Sequence, residues 1–259
     1  MGIPPILDNK NSAAPSVFEP RALLREARRQ KQLAFKSVPE VCVLDPDGDI
    51  VRRLRRDGRA RRAEDWPCYH TDLYTFDLDA GRRIGIVGCA VGAPFAVLVA
   101  EELFASECKL LISVTSAGQI KAVRAPPYFV MIDRALRDEG TSYHYADPAE
   151  FARAEPRLLA TMARAAEDSG LNVMTGDSWT TDAPFRETEH AIAQARNRGI
   201  LAVEMEAAAL YAFAEAKQAK VLCIAHVTNT MGLGEQDFEK GEADGTADAL
   251  RLIEVLVNA

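Results

Sequence analysis

The stretch AVEMEAAALYAFAEAKQAK, residues 202–220, decides how the rest of the chain is interpreted. Its alanine-rich part is typical of a helix, and two glutamates, Glu204 and Glu206, stand where that helix should begin. Acidic side chains at a helix start are stabilised by the positive end of the helix dipole, by about 0.3–1 kcal/mol. The dipole therefore explains both glutamates without any function, and the surrounding sequence has to show whether Glu206 does more.

The segments around this stretch alternate between short apolar runs and helical patterns. Residues 199–229 are predicted to form a strand, a helix and a strand, and residues 82–105 a strand, a glycine turn and a helix. Alternation of this kind predicts a mostly parallel sheet with helices on both faces. Further strands that run into turns are predicted at 40–49 and 108–118, and further helices at 21–33, 130–138, 149–168 and 246–259.

Composition predicts a single domain, residues 1–259, in which the polar residues 1–18 form an extended N-terminal arm. The formal net charge of −7 disfavours nucleic-acid and membrane-surface partners. No run approaches the roughly 20 apolar residues that a bilayer span needs. The first residues lack a basic region followed by an apolar run, which is the pattern of a secretory signal. A cytoplasmic location is therefore expected.

Cysteine and histidine usage predicts neither disulfides nor a metal site. The chain has 5 cysteines and 4 histidines, without CxxC or another metal-ligand spacing. Cys42, Cys89 and Cys223 lie in apolar runs and are expected to be buried free thiols. We expect a reducing compartment and no metal or organic cofactor.

An arginine-rich segment, VRRLRRDGRARR, occupies residues 51–62. Two interpretations stay open for it: a solvated helix face with a loop, or a surface that binds an anion. RNA binding through this segment would rest on electrostatic attraction, which the acidic net charge of the chain opposes.

In an open α/β sheet, ligands bind beyond the carboxyl ends of the strands. The glycines at 88 and 92 lack the G-x-G-x-x-G spacing, so a nicotinamide-dependent enzyme is disfavoured. Polar or glycine-rich turns follow the predicted strands at 45–48, 88–92, 115–118, 204–206 and 228–230.

Four of these segments resemble, in the same order, motifs of the hexameric-type nucleoside phosphorylases, a family that includes purine and uridine phosphorylases. The segment VEMEAAALYAFAEAKQAKVLCIAHVTN (203–229) resembles the helix–strand signature of the family, and its E-M-E-A-A motif is the most specific of the four. VGAPFAVLVAEEL (91–103) resembles the G-G-P-S…E-E-L segment. VLDPDGDIVRRL (43–54) resembles the G-D-P-x-R phosphate loop, and SWTTDAPFRET (178–188) the S-S-D-x-F base segment.

The resemblance implies a three-layer phosphorylase-like α/β fold with a twisted mixed sheet flanked by helices. It implies a pentosyltransferase that cleaves the N-glycosidic bond of a nucleoside, with phosphate as co-substrate. It also implies a homo-oligomer, a dimer or a hexamer, with active sites at the subunit contacts.

The resemblance assigns roles to single residues as well. Glu206 matches the glutamate that holds the ribose hydroxyls, and Met205 the methionine that packs under the sugar. A carboxylate accepts two hydrogen bonds from a vicinal diol and stabilises the positive charge that develops on the sugar. The remaining assignments are Asn229 as a catalytic residue beside the base, Phe185, Arg186 and Thr181 as base-binding residues, and Asp45, Ser116 and Arg52 at the phosphate end.

The match fails where phosphate should bind. Leu44, Gly48 and Ser113 stand where the family has a glycine and two arginines. Residues 68–79 also lack the arginine that the family lends from the neighbouring subunit. A dianion needs several charge-assisted hydrogen bonds in place of its water. Phosphate binding is therefore expected to be weaker unless the segment 51–62 compensates.

Three functions stay open: phosphorolysis, hydrolysis by water, and nucleoside binding without turnover. In a hydrolase, Asp45 or Asp182 is expected to help orient the water. Asn229 replaces the aspartate of the purine-directed members. An amide cannot protonate a leaving base, so Asn229 favours a uridine-like or oxo-purine substrate.

Overall fold

A computed structural model describes residues 2–8, 10–79, 81–230 and 245–259. The helices in these residues are α1 (Pro20–Lys31), α2 (Asp49–Arg56), α3 (Ala93–Ala105), α4 (Pro156–Asp168), α5 (Glu189–Asn197), α6 (Ala207–Lys217) and α7 (Thr246–Val257). The strands are β1 (Val41–Asp45), β2 (Arg61–Arg62), β3 (Tyr74–Asp77), β4 (Arg83–Gly88), β5 (Leu110–Gln119), β6 (Tyr128–Asp138), β7 (Phe151–Arg153), β8 (Val173–Thr181), β9 (Ala202–Glu204) and β10 (Lys220–Thr230).

These strands join one mixed sheet. Strands β10, β6, β8, β9 and β5 pair in that order, and β5 also pairs with β10, so the five strands close into a ring. Strands β1, β4, β3 and β2 continue from β5 as an open extension, and β7 pairs with β6. Strands β10, β5, β1 and β4 run parallel to one another, whereas β9 runs antiparallel to β5.

Alternate side chains of the central strands belong to two hydrophobic cores, one on each face of the sheet. In β1, Val41 and Val43 lie in one core and Cys42 and Leu44 in the other, because successive side chains of a strand point to opposite faces. Helices α3 and α6 cover the face of Cys42, and helices α2, α4 and α7 cover the face of Val41. The predicted three-layer α/β fold, a twisted mixed sheet flanked by helices, is confirmed.

Helix α6 is enclosed by the protein, since residues 207–213 are all buried. It lies between β9 and β10, and so the strand, helix and strand predicted at 199–229 are confirmed. The Tyr211 hydroxyl donates to the carbonyl oxygen of Ile132 at 2.6 Å and accepts the N–H of Cys223 at 3.0 Å. This hydroxyl ties α6 to both β6 and β10.

Residues 130–138, predicted as a helix, form part of strand β6 instead. This segment pairs with β8 on one side and with β10 on the other, and such pairing overrides a local helical preference. The helix predicted at 149–168 begins only at Pro156, after the short strand β7. The turn predicted at 115–118 was also wrong, because β5 continues to Gln119.

The N-terminal arm lies against its own chain. Lys10 Nζ is 3.2 Å from His144 Nδ1, and the Ser12 hydroxyl donates to Asp147 at 3.1 Å.

No helix in the described residues has the length and apolar character to cross a membrane.

All five cysteines are free thiols, but Cys89 is exposed, contrary to the sequence prediction. It lies in the turn between β4 and α3, with a φ of +62°. Cys42 and Cys223 are buried, as predicted.

We expect Tyr211→Phe to lower the free energy of unfolding by about 1–3 kcal/mol, because the buried Ile132 carbonyl and Cys223 N–H lose this partner. Urea denaturation followed by circular dichroism measures the change. The matched control is Tyr69→Phe, whose exposed hydroxyl donates to Gln30 and whose loss should cost under about 0.5 kcal/mol. Equal stability of the two variants would contradict the role given to Tyr211.

Candidate active site

The N-termini of α3 and α6 converge on one buried carboxylate. Gly92 precedes α3, and its backbone N–H donates to Glu206 Oε1 at 2.7 Å. Glu206 itself precedes α6 and is 1% exposed. The positive ends of two helices therefore lie beside the same side chain and hold it in place.

Glu204 has a structural role at the start of α6. Its carboxylate accepts hydrogen bonds from the hydroxyls of Ser178 and Thr180 at 3.0 and 2.5 Å. It also accepts the backbone N–H groups of Glu206 and Ala207, both at 2.7 Å. The helix-dipole explanation is thus confirmed for Glu204, and this carboxylate fixes the peptide that carries Glu206.

The second oxygen of Glu206, Oε2, is buried and has no hydrogen-bond partner among the described residues. Burial raises the pKa of Glu206 to about 8, with a further contribution from the charge of Glu204. The Gly92 N–H and the Thr115 hydroxyl lower the pKa without offsetting burial. Because a buried acceptor without a partner costs about 1–3 kcal/mol, Oε2 is a place where a ligand hydroxyl would be stabilised.

Asp45, predicted at the phosphate end, caps helix α2. Its carboxylate oxygens accept the N–H groups of Gly48 at 3.2 Å and of Val51 at 2.9 Å. Burial raises the pKa of Asp45 to about 7, and the charges of Asp47 and Asp49 contribute to the increase. Both oxygens of Asp45 are therefore committed to the loop between β1 and α2.

Asp47 occupies the hydrogen-bond donors of Ser116. Its Oδ2 accepts the backbone N–H of Ser116 at 2.6 Å, and its Oδ1 accepts the hydroxyl at 2.8 Å. Hydrogen bonds to an ionised acceptor are about twice as strong as neutral ones. Ser116 is the residue that the resemblance assigns to phosphate, so a carboxylate of the protein uses the donors that a phosphate oxygen would need.

Arg52 also reaches this loop, where it is engaged with other groups. Its Nη2 donates to Asp49 Oδ1 at 2.5 Å and to the Asp47 carbonyl oxygen at 2.7 Å. Its Nη1 lies 3.7 Å from Cys89 Sγ. These contacts hold the guanidinium on the outer side of the loop, where its side chain is 56% exposed.

The rest of the arginine-rich segment forms surface ion pairs. Arg53 pairs with Asp57, and Arg62 pairs with Asp72. These side chains are between one third and one half exposed. The contacts favour the first interpretation of residues 51–62, a solvated helix face followed by a loop.

Gly48 lies where the resemblance places a phosphate-binding arginine. Its φ is +77°, and a Cβ at this position would lie 2.5 Å from Cys89 Sγ and 2.7 Å from Arg52 Nη1. The backbone conformation of the loop therefore favours glycine, and any side chain here would also have to displace the Cys89 thiol and the Arg52 guanidinium.

The space beside Asp47 is small. It is a cavity of about 20 Å³, which has room for one water molecule. Within the part of the chain that the structure describes, no group of three His, Cys, Asp or Glu side chains could hold a metal ion. The polar lining of the cavity includes Asp45, Asp47, Asp49, Thr115, Ser116 and His226.

The residues predicted around the base are spread over three elements. Asn229 lies near the end of β10, and its Oδ1 is buried without a partner among the described residues. Thr181 is buried at the end of β8. Phe185 and Arg186 lie in an exposed turn, and Phe185 is fully exposed. Met205 is half-buried between the two glutamates.

The structure brings Glu206 and Ser116 to one region, through Thr115 and Asp47. It does not bring Phe185 there within a single chain, because that side chain contacts only solvent. The base-binding roles of Phe185 and its turn stay predictions.

Asp47 and Gly92 were not among the predicted site residues. Both lie in turns that the sequence marked as strand ends, at 45–48 and 88–92. The missing information was the direction of the Asp47 side chain, which depends on the loop conformation and not on the order of residues.

We expect Glu206→Gln to become more stable relative to wild type as the pH rises from about 5 to about 8. Between the ordinary pKa of 4.5 and the native pKa of about 8, the folded wild type keeps a proton that the unfolded chain has lost. Its free energy of unfolding therefore falls as the pH rises, by up to about 1.4 kcal/mol per pH unit. The glutamine variant lacks this contribution.

Urea denaturation at several pH values measures the effect. Glu167→Gln, at an exposed position of α4, is the control and should follow the wild-type slope. Parallel curves for all three proteins would show that Glu206 does not titrate as described.

Comparison with known proteins agrees with the motifs. A family model described as the phosphorylase superfamily matches residues 40–258. The DeoD-type purine nucleoside phosphorylase of Shewanella denitrificans is 28% identical over 158 residues, 60% of this chain and 67% of that protein. The guanosine phosphorylase of Halorubrum lacusprofundi is 26% identical over 156 residues, 60% of this chain and 65% of that protein. The matched regions thus span about two thirds of the length of these relatives.

A solved structure shows the same fold. The crystal structure of uridine phosphorylase from Vibrio fischeri covers 88% of this chain and 97% of its own, with a TM-score of 0.72 at 21% identity. The family model spans every described element from β1 to α7. The chain therefore belongs to the phosphorylase superfamily, as the resemblance of its motifs to nucleoside phosphorylases predicted.

Proposed function

We propose that the protein cleaves the N-glycosidic bond of a nucleoside at Glu206 and transfers the sugar to water. Water is favoured over phosphate as the nucleophile because Ser116 donates two hydrogen bonds to Asp47. Phosphorolysis, the reaction that the resemblance implies, needs those donors for phosphate. Hydrolysis leaves them with Asp47.

The choice of a nucleoside rests on Glu206 and on the relatives. The relatives are purine nucleoside, guanosine and uridine phosphorylases by name. In this chain, Glu206 Oε2 is a buried acceptor without a partner among the described residues, which suits a ribose hydroxyl. Positive charge develops on the sugar as the glycosidic bond breaks. Glu206 stabilises that charge in its ionised form, which predominates above its pKa of about 8.

The electrostatics of the Ser116 end disfavour phosphate. Asp45, Asp47 and Asp49 line the small cavity there, and Arg52 is paired with Asp49. Two like charges 4 Å apart repel by about 4 kcal/mol at an effective dielectric constant of about 20. A neutral water molecule meets no such repulsion.

Asn229 supports a uridine-like or oxo-purine base. Its Oδ1 accepts an N–H and its amide donates to a carbonyl oxygen, and both groups occur on the edges of these bases. Since an amide supplies no acidic proton, Asn229 suits a base that leaves with its charge delocalised onto a carbonyl oxygen.

A homo-oligomer is part of the proposal. Val91, just before α3, is 51% exposed, and Leu98, in α3, is 37% exposed. Exposed apolar side chains of this kind suit a contact between subunits. Light scattering on the purified protein gives the mass, and a monomer would contradict the assembly.

Incubation with a panel of nucleosides, with and without phosphate, tests the reaction. We expect equal rates of base release in the two conditions, with free ribose as the sugar product. Release that requires phosphate and yields ribose 1-phosphate would show that Asp47 leaves Ser116 and that the reaction is phosphorolysis. Saturable nucleoside binding without base release would indicate a binding protein.

We expect Glu206→Ala to lower kcat/KM by on the order of 100-fold or more, because the substitution removes the carboxyl group that binds the ribose hydroxyls and that, once ionised, stabilises the sugar in the transition state. Glu167→Ala, at the exposed position of α4, is the matched control. Thermal unfolding shows that both variants fold. Undiminished activity of Glu206→Ala would place the sugar site elsewhere.

A further inference from the structure

We infer that Asp47 binds the attacking water and accepts its proton. The inference rests on the proposed hydrolysis at Glu206 and adds the residue that activates the nucleophile. The resemblance assigns no role to Asp47, which is the variable residue of the phosphate loop motif in VLDPDGDIVRRL. In the structure its carboxylate is both oriented and accessible.

The hydrogen bonds from Ser116 orient the Asp47 carboxylate without exhausting it. Each oxygen accepts one bond, at 2.6 and 2.8 Å, whereas an ionised carboxylate offers about four lone-pair positions. Each oxygen therefore keeps acceptor capacity for a water molecule. Orientation matters because a general base must lie within hydrogen-bond reach of the proton that it takes.

The neighbouring carboxylates have other partners. Asp45 is 2% exposed and caps α2 with both oxygens. Asp49 pairs with Arg52. Asp182, the other residue that the sequence suggested for water, accepts a backbone N–H in an exposed loop. Asp47 is half-buried, so that water can reach it.

Asp47 also lies near Glu206, the residue proposed to bind the sugar. Its negative charge is one of the groups that raise the pKa of Glu206. Thr115, whose hydroxyl lowers that pKa, lines the cavity of about 20 Å³ together with Asp47 and Ser116. A base, a space for one water molecule and the Glu206 site are therefore neighbours.

The step needs water as its only co-reactant. The water oxygen forms a bond to C1′ of the sugar while the C1′–N bond breaks and leaves its electron pair on the base nitrogen. One water proton passes to Asp47 and then, through solvent, to the base. The products are ribose and the free base, and Asp47 ends ionised.

Asp47→Asn tests this role, because the amide keeps an acceptor for Ser116 but cannot take up the proton. We expect kcat for nucleoside hydrolysis to fall by about 100-fold or more, as for the loss of a general base, while the nucleoside Kd changes by less than about threefold. Asp57→Asn removes the same charge at the other end of α2. This control should keep kcat within about threefold of wild type.

Asp47→Ala with added formate provides a second measurement. Formate can supply a carboxylate in the space of the missing side chain, and we expect it to restore part of the lost kcat in Asp47→Ala. Thermal unfolding shows that each variant is folded before its activity is compared. Recovery by formate would not occur if Asp47 only maintained the loop.

Undiminished kcat in Asp47→Asn would overturn the inference. So would phosphate-dependent release of ribose 1-phosphate by Asp47→Ala at the wild-type rate, because Asp47 would then only exclude phosphate. These results differ from a failure of the proposed function. If wild type releases no base from any nucleoside, hydrolysis itself is wrong, whereas an active wild type with an equally active Asp47→Asn removes only the role of Asp47.

Discussion

The hydrogen bond between the Gly92 N–H and Glu206 is the contact on which the site depends. It links the residues that precede α3 and α6, two helices that pack against each other on one face of the sheet. A buried carboxylate is costly unless it is paired or hydrogen-bonded. The two helix ends offset that cost in part, and the remaining cost appears as the raised pKa of Glu206.

The two glutamates at the start of α6, separated by one residue, have different roles. Glu204 accepts four hydrogen bonds and holds the backbone of α6 in place. Glu206 accepts one from Gly92 and keeps a buried oxygen without a partner among the described residues. Glu204, whose carboxylate has more hydrogen-bond partners, thus positions Glu206, and a ligand would be stabilised at Glu206.

Local sequence pattern was sufficient where neighbouring residues determine the structure. The strand, helix and strand at 199–229 and the role of Glu204 could be predicted because capping and periodicity are local. Residues 130–138 could not, since their strand depends on partners in β8 and β10. The same limit applies to Asp47, whose role depends on a contact with Ser116, 69 residues away.

The loop between β1 and α2 also limits which side chains position 48 can carry. A side chain at Gly48 would have to displace the Cys89 thiol and the Arg52 guanidinium. An arginine placed there would strain the loop, because the backbone at this position has a φ of +77°. The backbone conformation of the loop thus opposes, by itself, the arginine that the family motif carries at this position.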